Sequence, residues 1–250
     1  MPCGTILRMR LTIGLNAVLA ALLLAPAARA DRRTLIRATE YMTQPEGNLE
    51  LEFWNDVAAP RNGGFDQAAT LQRIELEYGL TDHWDLALYH VFAQEPGASF
   101  RFDSWRLETR YRFLEKNVLP VDVMLYFELE RPADFTQPWV VEEKLILEKD
   151  FGRFGLVANL AFEQKPFHAN QGHAIEVDLG ARYEVVPQLR LGGEFWTVWE
   201  TVGGLTEAAS FLGPALSFAT SKIWVQIGAG FGVGDASGAT FVRSVLGVNL

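Results

Sequence analysis

Cysteine occurs once in these 250 residues, at position 3, and histidine only four times. Cys3 lies ahead of an apolar stretch that reads as an export signal. The mature chain is therefore expected to carry neither a disulfide framework nor a thiol nucleophile. Basic charge is also scarce, with 22 Lys and Arg against 31 Asp and Glu. Binding to phosphate backbones needs the opposite balance, so nucleic acid is not an expected partner. Long apolar runs are missing too: no segment after residue 30 has the 18 or more consecutive apolar residues of a membrane-crossing helix.

The amino-terminal residues fit a removable signal. Arg8 and Arg10 form a positive start, Leu11 to Leu24 an apolar core interrupted by Thr12, Gly14 and Asn16, and Ala28-Arg29-Ala30 a cleavage site. A membrane-anchor helix is the competing reading, but the core is too short to span and a small-residue site follows it. A lipoprotein cysteine would have to follow the core, whereas Cys3 precedes it. The expected organisation is a signal over residues 1–30, an amino-terminal periplasmic segment over 31–45 starting at Asp31, and a single domain over 46–250.

That domain reads as alternating ribbon. Leu49, Leu51 and Phe53 alternate with Glu50, Glu52 and Trp54, and Ile74, Leu76 and Tyr78 with Arg73, Glu75 and Glu77. Trp105, Leu107, Thr109, Tyr111 and Phe113 oppose Arg106, Glu108, Arg110 and Arg112, a run of charge that a two-sided apolar core would not accept. The same period recurs around Trp84, Val121, Val141, Leu156, Ile175 and Leu189, and three less charged segments, Leu212 to Phe218, Ile223 to Phe231 and Val242 to Leu250, close the chain. Twelve strands result, and their links alternate. Long ones hold Val57 to Asp66, Gln94 to Ser99, Pro132 to Gln137, Lys165 to Gln171, Val202 to Ala209 and Val233 to Gly238; those between are tight, apart from the middling Leu114 to Leu119. An even strand number with alternating short and long links predicts an all-β, antiparallel up-and-down transmembrane barrel. Its short turns and both termini would be periplasmic. A soluble β-sandwich shares the alternation and stays open at this point. Two residues sit badly in the scheme. Glu143 falls on the lipid register, where a bulge is expected to accommodate it, and Pro214 interrupts a strand to which it cannot donate.

The stretch Glu77-Tyr78-Gly79-Leu80-Thr81-Asp82-His83-Trp84-Asp85-Leu86-Ala87-Leu88, the later Gly213-Pro214-Ala215-Leu216 and the closing Arg243 to Leu250 segment resemble the bacterial outer-membrane barrels grouped with the meta-pathway phenol-degradation proteins. The resemblance spans the mature chain. It implies an outer-membrane location and a transport role, with aromatic or hydrophobic molecules as the solute class.

Function must then come from the lumen and loops, because a barrel does not specify one. The inward register carries both signs. Arg73, Arg106, Arg110, Arg112, Lys144, Arg182, Arg190 and Arg243 face Glu75, Glu77, Glu108, Asp122, Glu128, Glu130, Glu142, Glu148, Glu163, Glu176, Asp178 and Glu194. One reading is a narrow pathway that selects small solutes by charge. The other is a lumen filled and cross-linked by these side chains, a non-conducting barrel serving structure or surface binding. Inward Trp196, Trp224 and Tyr126 suit either an aromatic solute or packing. Catalysis is not expected, since neither a G-x-S-x-G motif nor a serine at a recognisable spacing from a histidine occurs. His168 and His173 share one loop with Asn170, a pattern that fits solvated side chains better than a metal site. No cofactor is expected. The expected partners are outer-membrane lipids, the barrel assembly machinery and an unidentified small solute.

Overall fold

A computed structural model describes residues 33–166 and 172–250. The signal region and His168 lie outside these described residues.

Period-two alternation produces twelve strands: β1 Leu49–Ala59, β2 Ala69–Thr81, β3 Trp84–Gln94, β4 Arg101–Arg112, β5 Asp122–Pro132, β6 Val140–Phe151, β7 Phe154–Gln164, β8 His173–Val186, β9 Leu189–Val202, β10 Leu205–Ala219, β11 Ile223–Val233 and β12 Thr240–Asn249. Each pairs antiparallel with its sequence neighbours, and β1 pairs with β12, from Glu50 opposite Asn249 to Ala59 opposite Thr240. The barrel is closed, which removes every free sheet edge.

The two faces of the wall differ as the alternation requires. On β1 Glu50, Glu52, Trp54 and Asp56 are buried in the lumen, while Phe53 on the other face is 43 % exposed. The outward set Ile74, Leu76, Leu88, Leu107, Leu125, Leu160, Leu179, Leu191 and Ile227 continues round the whole circumference, all exposed. A water-soluble sandwich would place this apolar face in its core; here the charged face is interior and the apolar face exterior, the arrangement of a transmembrane barrel. Aromatic residues at strand ends, among them Trp84 and Tyr111 at one end and Trp105 and Trp139 at the other, flank the apolar band.

Two expectations about the wall need correction, and a third, at Pro214, holds. The link over Val202 to Ala209 is not a long loop. β9 and β10 continue to Val202 and Leu205, joined by Gly203 and Gly204 at φ +60° and +83°, the two positive angles that a two-residue hairpin turn demands. The bulge expected at Glu143 is absent, because β6 pairs without a register shift to Phe127 on one side and Phe162 on the other, leaving Glu143 exposed on the outer face. Register shifts fall instead at Gly79/Thr81, Val91/Phe92 and Glu184/Val186. Pro214 is the third point. It does lie inside a strand, paired with Gly193 of β9, but the β10–β11 ladder skips from Leu212 to Ala215. The missing N–H therefore coincides with an interrupted ladder.

Candidate functional site

Residues 33–48 form no strand, yet residues 33–44 lie inside the barrel. Thr34, Leu35, Ile36, Ala38, Glu40, Tyr41, Thr43 and Gln44 are all buried. The segment runs from the middle of the lumen to the short-turn end, where the Tyr41 hydroxyl donates to Leu114 O (2.5 Å), Thr43 Oγ1 to Asp82 O (2.8 Å) and Gly47 N to Gly79 O (2.9 Å). The middling link after β4 thus supplies an anchor for the segment.

A buried non-regular backbone must find partners for its polar groups. Here the wall's side chains supply them. Glu194 of β9 accepts three consecutive N–H groups, from Ile36, Arg37 (2.8 Å) and Ala38 (2.9 Å). Asn159 of β7 accepts from Thr39 N (2.6 Å) and donates to Thr39 O (3.0 Å), and the Tyr41 and Gln44 N–H groups reach Glu148 (2.6 Å) and Asp85 (2.9 Å). Gln226 and Arg243 donate to Leu35 O and Ile36 O, each at 2.5 Å. Within the segment, Glu40 accepts from Thr34 N and Leu35 N (3.4 Å) and pairs with Arg182 (2.8 Å). Burial pushes the Glu40 carboxyl above its ordinary range and Arg182 opposes that rise. Glycine in the wall makes room: a Cβ on Gly180 would collide with the Leu35 side chain, and one on Gly79 with the carbonyl oxygen of Pro45.

The charged residues expected in the lumen all face it, but they do different things. Arg182 also holds Glu148 (2.5 Å) and Asp150 (2.7 Å), Glu176 receives the Arg37 guanidinium, and Arg112 donates to Thr43 Oγ1 (2.7 Å); these, with Glu194, grip the segment. Arg110 is buried among Glu77, Asp85 (2.7 Å) and Glu108 (3.5 Å), and Glu75 accepts the Trp54 indole N–H (2.8 Å). Arg33 of the segment lies 3.4–3.8 Å from Glu52, Glu75 and Glu77. Glu50, Glu52 and Glu77 converge closely enough to hold a cation, and the neighbouring Arg33, Arg110 and Trp224 indole N–H (2.8 Å to Glu50) already supply positive charge and donors there. Higher up the lumen Arg106 pairs with Glu128 (3.1 Å) and Glu130 (2.8 Å), Lys144 with Glu142 (3.0 Å), and Arg73 with Asp56. Asp178 is buried two residues from Glu176 on the same face. Asp122 caps the β4–β5 link through Asn117 N (2.7 Å), and Arg190 pairs with Glu184 (3.4 Å) near the β8–β9 turn.

The lumen therefore has two halves. Toward the short turns it is packed: Met124, Ile146, Trp224, Gln226, Glu50 and Glu52 are all under 3 % exposed. Toward the long loops a cavity of about 410 Å³ is floored by Arg33 to Thr39 and walled by Trp54, Tyr89, Arg106, Tyr126, Lys144 and Arg243. A second cavity of about 530 Å³ lies at the mouth against Trp196, Val198, Phe211 and Phe241. The Trp196 and Phe211 rings stack at 5.2 Å, Phe241 meets Trp196 edge-on at 6.1 Å, and the indole occupies the space a side chain at Gly230 would need. Of the three inward aromatics singled out from the sequence, Trp196 and Tyr126 line these cavities. Trp224 packs against Trp54, Ala219 and Val245. Sequence reasoning missed Asn159, Gln226 and Asp85 as holders of the segment. Their inward register was the available signal, and nothing local marks them out from lumen filler.

No family model matches the chain, and no curated protein matches it. Solved structures do. A COG4313 outer membrane channel from Pseudomonas putida F1 superposes with a TM-score of 0.61 at 14 % identity, covering 86 % of this chain and 100 % of that one. A NanC porin gives 0.60 at 10 % identity over 80 % and 100 %, and a KdgM porin 0.57 at 11 % identity over 80 % and 99 %. At such identities the likeness is one of architecture: this chain has the fold of outer-membrane β-barrels.

Proposed function

We propose that the protein is a gated channel of a bacterial outer membrane. Small molecules enter the vestibule at the long-loop end and pass when the amino-terminal segment gives way. The observation that carries this reading is the floor of the vestibule. It consists of residues 33–39, which are attached to the wall through side-chain hydrogen bonds and ion pairs and contribute no strand to the sheet. Such an occupant can move without opening the barrel's own ladders. The exposed apolar band supports the membrane location, and the short links after β2, β6, β8 and β10 support periplasmic turns and termini at that end. The channel and porin neighbours agree with a transport role. The narrower kinship with meta-pathway phenol-degradation barrels, and with it an aromatic or hydrophobic solute, is part of the same proposal; the aromatic wall at the mouth favours it.

The test uses the scarcity of cysteine, present only at Cys3. A pair introduced as Ala38→Cys and Val157→Cys, whose side chains pack together, tethers the segment to β7. In a planar bilayer the oxidised protein should be closed and the reduced protein should show openings. Equal conductance in the two states would sink the gate. A second reading, a filled and non-conducting barrel, is favoured by the packing of the short-turn half, and lasting silence from reduced, demonstrably inserted protein would establish it.

A further inference from the structure

We infer that the short-turn end of β4 to β7 is a seat for an anionic phospholipid, with Lys149 and Arg153 on its phosphate and the neighbouring apolar residues on its acyl chains. This goes beyond the channel reading and rests on the part of it that turns this end toward the periplasmic, phospholipid leaflet. The argument begins with the link after β4. Phe113, Val118, Leu119 and Val121 are all exposed there, Val118 at 60 %. The β6–β7 turn is closed by Phe151 opposite Phe154, both exposed, and Tyr183 of β8 lies next to Phe154 on the outer face. Beyond strand ends that face water, polar residues are the rule. Here the apolar outer face runs on past Leu156 into the turns, the pattern of a segment that lies in a lipid interface.

Two bases stand on this edge. Lys149 is on the outer register of β6, opposite Leu156, and its ammonium lies 3.4 Å from Leu119 O; Arg153 occupies the β6–β7 turn, with Nη1 3.5 Å from Val185 O. Both contacts are at the limit of hydrogen bonding, and neither base has a carboxylate partner among the described residues. The carboxylates of this end are engaged elsewhere. Glu148 and Asp150 hold Lys116 and Arg182, Asp122 accepts Asn117 N, Glu115 pairs with His83 (3.1 Å), and Glu184 meets Arg190. Arginines at the long-loop end differ. Arg101 pairs with Asp103 (3.2 Å), Arg131 donates to Gln137 O (2.8 Å) and Phe135 O (3.1 Å), and Arg61 donates to Asp235 O (3.0 Å).

An unpaired base at an apolar rim is the complement of a lipid headgroup. The chain as a whole is acidic, with 22 basic residues against 31 acidic ones, so two neighbouring uncompensated bases on its outer face run against the general balance. Long basic side chains there keep their charge at the headgroup level while their methylenes stay on the apolar wall. A phosphodiester between them gains charge-assisted hydrogen bonds, and its acyl chains gain the exposed Leu156, Leu160 and Leu145 along the same face. A soluble anion would gain only the first of these.

Native mass spectrometry of the detergent-folded protein, titrated with phosphatidylglycerol or with phosphatidylcholine of the same acyl chains, tests this. One basic residue beside an anionic lipid is worth about fivefold in affinity, so phosphatidylglycerol should bind about tenfold or more tighter. Lys149→Gln and Arg153→Gln should each weaken phosphatidylglycerol about fivefold and together should abolish the preference, whereas Arg131→Gln at the other rim should leave it unchanged. Equal binding of the two lipids overturns the inference. A preference that survives the double variant overturns it as well, and so does tighter binding of lipopolysaccharide, the lipid of the opposite leaflet. Orientation is read separately, from Ser221→Cys in the β10–β11 turn and a membrane-impermeant maleimide applied to intact cells. If phosphatidylglycerol is preferred as expected while Ser221→Cys is labelled, the lipid seat stands and the periplasmic placement of the short turns falls.

Discussion

Arg182 on β8 and Glu40 on the amino-terminal segment meet at 2.8 Å, and the same guanidinium holds Glu148 and Asp150 of β6. One wall residue thus fixes the segment and ties two strands together.

Replacing Arg182 by Met removes the shared cation and leaves buried carboxylates facing one another. Stripping one partner from a buried ion pair typically destabilises by about 3–5 kcal/mol. The expected result is a barrel that unfolds at lower urea concentration in lipid vesicles and a segment that becomes open to protease before the barrel does. Simultaneous loss of both signals would assign Arg182 to the wall alone.

Glu194 is the sharper probe of the segment, because it is the shared acceptor for three adjacent N–H groups. Glu194→Ala leaves these donors unpaired, at about 1–3 kcal/mol each. Glu194→Gln keeps one carbonyl acceptor and should fall between the alanine variant and the native protein. Open probability in planar bilayers should rise in the order native, Gln, Ala.

Leu35 offers a test without charge. Gly180→Ala places a methyl group where the Leu35 side chain lies, and Leu35→Ala in the same chain removes the obstacle. The single variant should speed amide hydrogen exchange across residues 34–41, and the double variant should restore part of the protection. A double variant as unprotected as the single one would show that Gly180 acts on the sheet.

Glu143 stands on the outer face between Phe127 and Phe162. A carboxylate facing lipid is unfavourable by an amount that shrinks toward the interface. Glu143→Leu is expected to stabilise the barrel by about 1 kcal/mol in urea titrations from vesicles. Destabilisation would mean that the carboxylate has a partner in the membrane.

The wall was legible in the sequence because each strand repeats one local rule. Glu50, Glu52 and Trp54 against Leu49, Leu51 and Phe53 declare their faces within six residues. The Gly203-Gly204 hairpin was legible in principle, since adjacent glycines between apolar and β-branched residues signal a tight turn. It was masked by the assumption that every second link is long. The gripping of the segment was not legible. Its apolar residues Leu35, Ile36, Ala38 and Tyr41 follow no period, and the side chains that hold it come from positions as far as 207 residues away along the chain. Inward register identified Glu194 and Arg182 as lumen residues, but only three-dimensional closure shows that one serves a backbone and the other a side chain. The absence of a bulge at Glu143 has a similar cause, because ladder continuity with β5 and β7 outweighs one unfavourable side chain.

The partners of the amino-terminal segment are scattered from β1 to β12, and the sheet becomes a ring only where β1 meets β12. A chain still open at that seam cannot offer Arg243 to Ile36 and Asp85 to Gln44 in one enclosed space. Expulsion of water from the short-turn half must therefore follow circularisation. Until then the open sheet carries a hydrated interior face lined with unmatched carboxylates, so the segment nearest the amino terminus of the described chain is the last to reach its native place.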